Sequence, residues 1–317
     1  MSQTILVTGG AGNLSRQLAH LLVLDGHRIV LFDIAPAPPT LPDGNVTYVT
    51  GDVTRPEVVA SVLSQYQPQR VLHMASLLSA KSEEDRVLGW QINATATFQM
   101  LEMCVQHGVE RFFFPSSVAS FGGGLPDPLS EDQDQWPEGW YGVTKVTCER
   151  MGYYYHRRHG LDFRCLRIPQ VISRFANPGA ASAYASQAFV QGVQSGRFTF
   201  VVNPETCCAA VYVHDMLEGI RRFMDAPARC LTRRMYNIFS ISPTAQEIAA
   251  AVRARVAGVQ LDFSPDPDVA RLIESWPRRI DDRSARADWG WSPQFDLNQM
   301  ADDMVRDLLK EKQPEHR

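Results

Sequence analysis

A tyrosine and a lysine stand four residues apart in the segment Tyr141-Gly142-Val143-Thr144-Lys145. On a helix this spacing places the two side chains on one face, one turn apart. A phenol with a pKa near ~10 is a poor base at neutral pH, and poising it near ~7 requires about 4 kcal/mol of preferential stabilisation of the phenolate. An ammonium group one turn away is a source of that stabilisation. The spacing therefore predicts that Tyr141 acts as a general base with Lys145 as its activating neighbour.

A serine that could hold a substrate oxygen follows the almost wholly apolar run at residues 111–115. Such a run is typical of a parallel strand that is covered on both faces. The hydroxyl of Ser117, just past that strand, could hydrogen-bond the oxygen and direct it toward Tyr141. Tyr-x-x-x-Lys alone occurs often by chance on helices, but a serine after a buried strand and a nucleotide-binding turn make it specific evidence of a catalytic site.

A glycine-rich turn, Thr8-Gly9-Gly10-Ala11-Gly12-Asn13-Leu14-Ser15, follows a short apolar run and opens a stretch with leucines at helical spacing. Glycine is needed where a side chain would clash in the turn and where the backbone approaches a pyrophosphate at the start of the helix. The alternative is a plain tight turn, but the position between a strand and a helix favours a dinucleotide site. Ser15 stands where the pattern prefers a third glycine. The expected cofactor contacts in this turn are Gly9, Gly12, Asn13 and Leu14.

An acidic residue, Asp33, ends the second predicted strand, 21 residues after Gly12. At this position a carboxylate accepts hydrogen bonds from the adenosine ribose hydroxyls, and its charge would repel a 2′-phosphate. NAD is therefore expected over NADP, although Arg16 is a nearby cation that could accommodate a phosphate. The alternative for Asp33 is a turn residue at the strand end. Asp52 and Val53, after the third strand, would lie beside the adenine.

Strand-like and helical stretches alternate through the first half of the chain, which predicts right-handed βαβ crossovers and a doubly wound, Rossmann-type parallel sheet in an α/β fold. Strands are expected at 4–8, 28–33, 46–50, 70–74, 111–115 and 163–168, and helices at 14–25, 56–65, 83–106 and 141–159. After Pro169 the rhythm gives way to helices at 182–194, 215–224, 245–256 and 297–309 between short strands. We expect an NAD-binding domain at 1–169 and a smaller mixed α/β substrate domain at 170–317, interleaved with the last elements of the sheet.

The 317 residues are 44% hydrophobic and 21% charged, with a net charge of −4, which gives no basic surface for nucleic acid. No stretch has the apolar length of a membrane span, and the short N-terminal run lacks the basic leader of a signal peptide. The six cysteines show neither C-x-x-C nor metal-ligand spacing, so free thiols in a reducing compartment, and a cytoplasmic location, are expected. Asp281-Asp282 also lacks partner ligands, and no metal is assigned.

Three other polar groupings have structural interpretations. His73, at the end of the fourth strand, is expected to pack near the cofactor rather than act as a base. His214-Asp215 resembles a dyad but is better explained as the start of a helix, where the helix dipole favours Asp215. Tyr153-Tyr154-Tyr155 shares a helix with the tyrosine–lysine pair and is expected to pack across a homodimer interface. That interface would be formed by the helices at 83–106 and 141–159.

Taken together, these segments resemble the extended short-chain dehydrogenase/reductase family, of the NAD-dependent epimerase/dehydratase type, over essentially the full chain. Within it the chain is most similar to the L-threonine 3-dehydrogenases that share the fold of UDP-galactose 4-epimerase. The segments that carry the resemblance are Ala75-Ser76-Leu77-Leu78-Ser79-Ala80, Trp90-Gln91-Ile92-Asn93, Pro115-Ser116-Ser117, Tyr141 to Lys145 and, most specifically, Ser275-Trp276-Pro277-Arg278-Arg279-Ile280-Asp281-Asp282. The resemblance implies catalysis by Ser117, rather than Ser116, with Tyr141 and Lys145. It also implies further NAD contacts at Met74, Ala75, Ser76, Asn93, Tyr141 and Lys145.

The resemblance implies oxidation of a secondary alcohol in a small β-hydroxy amino acid or a related hydroxy acid. Ser79 and Trp276 fall where the threonine enzymes line their substrate pocket. The chain departs from those enzymes where Gly179-Ala180-Ala181-Ser182-Ala183 replaces Gly-Gly-Gly-Thr-Thr-Asp and where Cys208-Ala209-Ala210-Val211-Tyr212 replaces a methionine-rich segment. Arg174 is a candidate carboxylate clamp, or equally a solvated surface arginine. The candidate substrate contacts are Ser79, Ser117, Tyr141, Arg174, Ser182 and Trp276.

Two other functions remain open at this point. An NDP-sugar epimerase or dehydratase uses the same machinery, but it needs a nucleotide-binding surface in the C-terminal part, and the sequence shows no arrangement for one. A non-catalytic, NAD-sensing regulator on the same fold would usually lose the tyrosine or the lysine, and this chain keeps both.

Overall fold

Seven parallel strands form the central sheet of the protein, in a computed structural model that describes residues 2–178 and 180–312. In chain order the strands of these residues are β1 (Thr4–Thr8), β2 (Arg28–Asp33), β3 (Val46–Thr50), β4 (Arg70–His73), β5 (Arg111–Ser117), β6 (Asp162–Ile168), β7 (Gln170–Ile172), β8 (Arg197–Phe200), β9 (Ala210–Tyr212), β10 (Met235–Asn237) and β11 (Gln260–Phe263). The central sheet has the order β10-β6-β5-β4-β1-β2-β3. The chain builds one half outward from β1 and then crosses back to build the other, which confirms the predicted Rossmann-type sheet.

Helices cover both faces of this sheet. In chain order they are α1 (Asn13–Leu24), α2 (Pro56–Tyr66), α3 (Ser79–Glu84), α4 (Arg86–Trp90), α5 (Ala96–Gln106), α6 (Trp140–His159), α7 (Tyr184–Ser195), α8 (Val213–Asp225), α9 (Ala245–Arg253), α10 (Pro267–Glu274), α11 (Arg283–Trp289) and α12 (Leu297–Lys312). On β1, Ile5 and Val7 belong to the core with α1 and α8, whereas Leu6 belongs to the core with α2 and α5. Successive strand side chains point to opposite faces, so a strand covered on both sides is apolar throughout. None of these helices is long and apolar enough to cross a membrane.

The long helix predicted near 83–106 is confirmed except at Asp85, where it is broken; from Arg86 to Gln106 the chain is helical throughout. Asp85 separates α3 from α4 with a φ of −132°, and its carboxylate accepts a hydrogen bond from the N–H of Leu88 at 2.9 Å. A π-helical turn at Gln91–Thr95 then leads into α5. Such a turn holds one residue more than an α-helical turn, and here it carries the buried Asn93. The break at Asp85 lies in the polar run at residues 81–86, which contains neither proline nor glycine, so the sequence gives no signal there for the end of a helix.

The second half of the chain is joined closely to the sheet. β10 pairs with β6, while β7 with β9 and β8 with β11 form two small parallel sheets. The four helices predicted here are confirmed, with each boundary shifted by three residues or fewer. Periodicity does not indicate α10 and α11, since each spans only about two turns. The domain boundary at residue 169 stays a prediction, and Gly179 of the departing segment lies outside the described residues.

Ser117 is the last residue of β5 rather than the first residue after it. The backbones of Ser116 and Ser117 pair in register with Arg167 and Ile168 of β6, which extends the strand beyond the predicted end at 115. The candidate catalytic serine therefore lies at the carboxyl edge of the parallel sheet. Ligands of open α/β sheets bind at this edge.

Candidate active site

The glycine turn between β1 and α1 leaves no room for side chains. Gly9 has a φ of +67°, and a Cβ atom there would lie 2.9 Å from the backbone nitrogen of Ala75. Gly12 precedes α1, and no side chain caps that helix. The first N–H groups of an α-helix have no partner within the helix and attract anions. The turn therefore fits the pyrophosphate of a dinucleotide, which Asn13 and Leu14 would meet at the start of α1.

Asp33, at the end of β2, faces this turn. Its carboxylate accepts hydrogen bonds from the backbone N–H groups of Ala11 at 3.0 Å and Ala35 at 2.9 Å. Each carboxylate oxygen has further acceptor capacity, so Asp33 can also accept hydrogen bonds from ribose hydroxyls. The two interpretations of Asp33, as a turn residue and as a ribose contact, are therefore compatible.

The turn after β3 is fixed at the same edge of the sheet. The N–H of Gly51 donates to the carbonyl of Asp33 at 2.8 Å, and a Cβ atom at Gly51 would lie 2.4 Å from the ring of Phe32. Asp52 accepts hydrogen bonds from the N–H and the hydroxyl of Thr54, each at 2.8 Å. Val53 is buried in the core. The predicted adenine contacts thus sit on a rigid turn beside Asp33.

A chain of buried hydrogen bonds joins the ends of β1 and β4. The Thr8 hydroxyl accepts a hydrogen bond from the N–H of Ala75 at 3.1 Å and lies 2.9 Å from Nδ1 of His73. The other ring nitrogen of His73 lies 3.1 Å from the hydroxyl of Thr97. Burial, followed by the charge of Lys145, lowers the pKa of His73 to about 3. The imidazole is neutral at physiological pH and links structural elements. Its two threonine partners give no recognisable signal in the sequence.

The loop at residues 74–78, after β4, is held by the buried side chain of Asn93. The amide oxygen of Asn93 accepts hydrogen bonds from the N–H of Leu77 at 2.7 Å and the hydroxyl of Ser76 at 3.1 Å. Its amide nitrogen donates to the carbonyl of Leu77 at 2.9 Å and to the hydroxyl of Thr144 at 3.3 Å. This amide ties the loop to α6. The side chain of Asn93 would therefore contribute to cofactor binding by positioning this loop.

The first turns of α6 carry the tyrosine–lysine pair. Lys145 is buried, and its ammonium donates a hydrogen bond to the carbonyl of Pro115 at 2.8 Å. The same ammonium lies 5.1 Å from the ring centroid of Tyr141 and 4.6 Å from that of Phe114. A cation at such distances over an aromatic face is attracted by the ring. β5 therefore holds the positive charge beside the phenol.

The two adjacent serines at the end of β5 have different surroundings. Ser116 is buried, and its hydroxyl donates to a carboxylate oxygen of Glu149 at 2.5 Å. Ser117 is half-buried, and its hydroxyl accepts a hydrogen bond from the N–H of Ala119 at 3.2 Å. A hydroxyl that accepts one hydrogen bond keeps its own proton for another partner. Ser117, rather than Ser116, is therefore placed to contact a substrate oxygen.

The start of α6 approaches the segment after Ser117 so closely that a side chain would not fit at the contact. A Cβ atom at Gly142 would lie 2.2 Å from the carbonyl oxygen of Ala119 and 2.7 Å from Cβ of Pro137. Gly142 directly follows Tyr141, so this approach sets the position of the phenol relative to the end of β5. The sequence shows the glycine inside the Tyr-x-x-x-Lys motif, but it does not show what the glycine meets.

The candidate substrate residues come from separate elements. Ser79 is exposed at the start of α3, and Ser182 is half-buried in a 3₁₀ helix before α7. Trp276 follows α10 and packs on the core, and α10 contacts that 3₁₀ helix. Gln170 joins this region, because its amide nitrogen donates to the carbonyl of Ser182 and its amide oxygen accepts from the thiol of Cys208 at 2.7 Å. Gln170 lies in no sequence motif, so the sequence alone does not indicate its position.

Arg174 is held by the C-terminal helix. Its guanidinium forms ion pairs with Asp307 at 2.5 Å and Glu311 at 3.2 Å, both on α12. Its side chain is 27% exposed, so it is not a solvated surface arginine. A carboxylate clamp would have to displace these partners, because the charge of Arg174 is already compensated.

His214, Asp303 and Asp307 place possible metal-ligand atoms within 4.8 Å of one another. The two carboxylates are already paired with arginines, Asp307 with Arg174 and Asp303 with Arg306. His214 itself lies 3.0 Å from Asp303. The cluster is therefore explained as a network of ion pairs and hydrogen bonds that anchors α12 to the start of α8.

A cavity of about 550 Å³ opens on the flank of α1, toward α8 and the loop at residues 40–42. Ser117, Tyr141 and Lys145 do not line it, so it lies beside the glycine turn rather than at the candidate catalytic residues. Arg16 lines this cavity and donates a hydrogen bond to the side chain of Asn13 at 2.5 Å. The cation that could accept a 2′-phosphate is therefore close to the turn.

Comparison with known proteins agrees with this geometry. Residues 5–238 match the NAD dependent epimerase/dehydratase family. The chain is 35% identical over 307 residues to the mitochondrial L-threonine 3-dehydrogenase of Bos taurus, covering 96% of this chain and 82% of the bovine protein. The L-threonine dehydrogenase of Cupriavidus necator superimposes with a TM-score of 0.90 at 32% identity, covering 96% of this chain and 99% of that one. A monomeric L-threonine 3-dehydrogenase from a metagenome gives a TM-score of 0.88 at 28% identity, covering 98% and 100%.

These matches confirm the predicted cofactor, NAD, and the predicted class of protein, an NAD-dependent oxidoreductase. The family match spans well over half of the chain, and it includes the glycine turn, the serine at the end of β5 and the tyrosine–lysine pair. The chain belongs to the NAD dependent epimerase/dehydratase family.

Proposed function

We propose that the protein oxidises the secondary alcohol of a small β-hydroxy amino acid or related hydroxy acid, with L-threonine as the leading candidate. The observation that carries this proposal is the buried ammonium of Lys145, fixed on β5 beside the ring of Tyr141. The choice of substrate is supported by the relatives, since the bovine and Cupriavidus necator proteins are named as threonine dehydrogenases.

In the proposed reaction, three side chains act on the hydroxyl of the substrate. Ser117 donates a hydrogen bond to the substrate oxygen and orients it. Tyr141 removes the hydroxyl proton as a general base, and the charge of Lys145 stabilises the phenolate that this requires. NAD, when bound, would accept the hydride that leaves the carbon bearing this hydroxyl. The substrate loses one proton and one hydride and becomes a ketone.

The rival function of an NDP-sugar epimerase uses the same three residues. An epimerase also needs a surface that recognises the nucleotide of the sugar. In addition, the bovine and Cupriavidus necator relatives are named as dehydrogenases, which favours oxidation over epimerisation. The proposed small substrate pocket is supported by the contact between α10, which Trp276 follows, and the 3₁₀ helix that contains Ser182. A non-catalytic regulator is disfavoured, because the chain keeps both Tyr141 and Lys145 and holds the ammonium 5.1 Å from the centre of the tyrosine ring.

We also propose that the protein is a cytoplasmic homodimer. Trp90, Phe98, Tyr153 and Tyr154 expose large aromatic surface on α4, α5 and α6. Such surface marks an interaction site when it is contiguous.

The cysteines are free thiols, as expected in a reducing compartment. The bovine relative is named mitochondrial, so the compartment is to be tested by imaging a tagged chain in its source cells. A net charge of −4 gives no reason to expect nucleic acid as a partner.

Cofactor choice tests the role of Asp33. We expect kcat/KM with NAD to exceed that with NADP at least tenfold, which corresponds to about 1.4 kcal/mol. Asp33→Ser should narrow this ratio by removing the carboxylate, while Arg16→Ala should leave NAD preferred. Equal efficiency of the wild type with both cofactors would mean that Arg16 outweighs Asp33.

Tyr141→Phe tests the general base. The ring stays but the proton acceptor is lost, so kcat should fall by roughly 10²–10⁴-fold while the Kd for NAD changes little. Stopped-flow absorbance at 340 nm and fluorescence titration measure the two quantities. Tyr66→Phe, on α2, is the matched control and should behave as wild type. Near-normal turnover by Tyr141→Phe would overturn the mechanism.

Substrate choice can be tested by screening hydroxy amino acids, hydroxy acids, aldonates and NDP-sugars for NADH formation. We expect a compound with a hydroxyl β to a carboxylate carbon, threonine first, to reduce NAD. Trp276→Ala should raise the KM for that compound more than the KM for NAD, because the indole would close the substrate pocket. Epimerisation of UDP-sugars, with no small hydroxy acid turned over, would replace this proposal with the epimerase.

The proposed dimer can be tested at its centre. Phe98→Asp introduces a charge into an exposed aromatic surface on α5, and it should convert dimers into monomers in sedimentation velocity. Leu309→Asp, on α12, is the matched control, because Leu309 and Phe98 are equally exposed, at 45% each. A wild-type chain that sediments as a monomer at micromolar concentration, like the metagenomic relative described as monomeric, would exclude the dimer.

A further inference from the structure

A buried carboxylate lies two turns after Tyr141 on α6. Tyr141, Lys145 and Glu149 follow one another at intervals of four residues, so all three lie along one stripe of the helix. The chemistry proposed above uses the first two and leaves the third without a role. Glu149 has no solvent exposure, and a buried charge is costly unless it is paired and hydrogen-bonded.

Glu149 is fully paired. Both of its oxygens accept hydrogen bonds from Arg167, at 2.8–3.1 Å, and Arg167 is only 4% exposed. One oxygen also accepts from the hydroxyl of Ser116 at 2.5 Å, and the other accepts from the amide of Gln135 at 3.0 Å. A paired geometry of this kind fixes direction as well as distance.

The partners of Glu149 lie on both sides of the candidate catalytic serine. Ser116 precedes Ser117 on β5 and pairs in register with Arg167 of β6. The amide that reaches Glu149, from Gln135, also donates to the hydroxyl of Ser120 at 2.8 Å. Ser120 belongs to the 3₁₀ helix that Ser117 caps. Glu149 therefore holds the backbone before the serine and the helix after it, from the same α6 that carries the base.

An apolar contact could hold α6 on the sheet without a charge, since replacing a buried ion pair by well-packed hydrophobic residues is often neutral or stabilising. Hydrophobic packing has no preferred direction, however, whereas the Glu149–Arg167 pair and its two extra hydrogen bonds set α6 at one rotation and one height. A displacement of about 1 Å at a reacting group can cost roughly 10²-fold in rate. A contact that fixes the orientation of α6 is therefore useful where α6 and β5 bring the candidate catalytic residues together.

We propose that Glu149 and Arg167 are positioning residues for the reaction: their buried pair sets the distance between Ser117 on β5 and Tyr141 on α6. They touch neither substrate nor cofactor. This proposal rests on the proposed roles of Ser117 and Tyr141 in the oxidation.

The test uses two variants of different severity. Ser116→Ala removes one hydrogen bond to Glu149 and leaves both charges in place, so the chain stays folded. Glu149→Gln removes the charge in a side chain of the same shape. Hydride transfer is measured in single turnover with saturating NAD, using the hydroxy acid that the wild type oxidises, together with the Kd for NAD and the melting temperature. We expect the rate to fall roughly 5–20-fold for Ser116→Ala and 10–100-fold for Glu149→Gln, with the Kd for NAD within about twofold of wild type.

The matched control is a partly buried ion-pair cluster at the opposite end of the same strands. Asp162 pairs with Arg111 at 2.7 Å and with the fully buried Arg164 at 2.8 Å, where β5 and β6 begin. Asp162→Asn should lower the melting temperature about as much as Glu149→Gln does. Its hydride-transfer rate, measured at a temperature where all variants are folded, should stay within about twofold of wild type.

The outcomes separate this proposal from the one on which it rests. A wild-type rate for Ser116→Ala and for folded Glu149→Gln, together with an inactive Tyr141→Phe, would overturn the positioning role alone. Equal loss of rate in Asp162→Asn and Glu149→Gln would also overturn it, because any destabilisation would then explain the effect. Full activity of Tyr141→Phe would instead contradict the catalytic assignment.

Discussion

The contact between the first turn of α6 and the end of β5 determines the geometry of the whole site. Gly142 lies so close to the carbonyl of Ala119 that a Cβ atom would be 2.2 Å away, and Lys145 donates to the carbonyl of Pro115 from the next turn. The position of β5 is itself set by parallel pairing with β4 and β6. Tyr141, Lys145 and Ser117 are therefore all positioned relative to one strand, β5.

Buried polar groups are concentrated at the two ends of β5. Between the two ends, Phe112, Phe113 and Phe114 fill the cores on the two faces of the sheet. At the carboxyl end, the hydrogen bonds of His73, Asn93 and Glu149 each connect the sheet or its loops to a helix. Buried polar groups need hydrogen-bond partners, and because these bonds are directional, few arrangements of the packed elements satisfy them. The apolar middle stabilises the fold, and the polar end specifies how the loops and helices meet.

The parts of the site that the sequence predicts are those with local signals. The glycine turn, Asp33 and the Tyr141–Lys145 spacing are each defined within one turn or one βα unit, so spacing alone identifies them. Arg174 shows the limit, because its partner Asp307 lies 133 residues further along the chain. In the sequence alone, charged residues that pair over such distances cannot be distinguished from solvent-exposed surface residues. The helix predicted over 83–106 differs from the structure at Asp85 for another reason, since the polar run at residues 81–86 has neither glycine nor proline to mark the break.

The π-helical turn at Gln91–Thr95 has a consequence for how this chain can vary in evolution. Deleting one codon within it would restore a regular α-helix, so the helix itself would lose nothing. Because the π-helical turn absorbs one extra residue, α4 and α5 would keep their relative orientation, whereas the side chains inside the turn would change direction. Asn93 would then leave the loop after β4 and the hydroxyl of Thr144. A single-codon deletion that improves local helix geometry would thus loosen a loop and α6 together, and selection on activity would remove it.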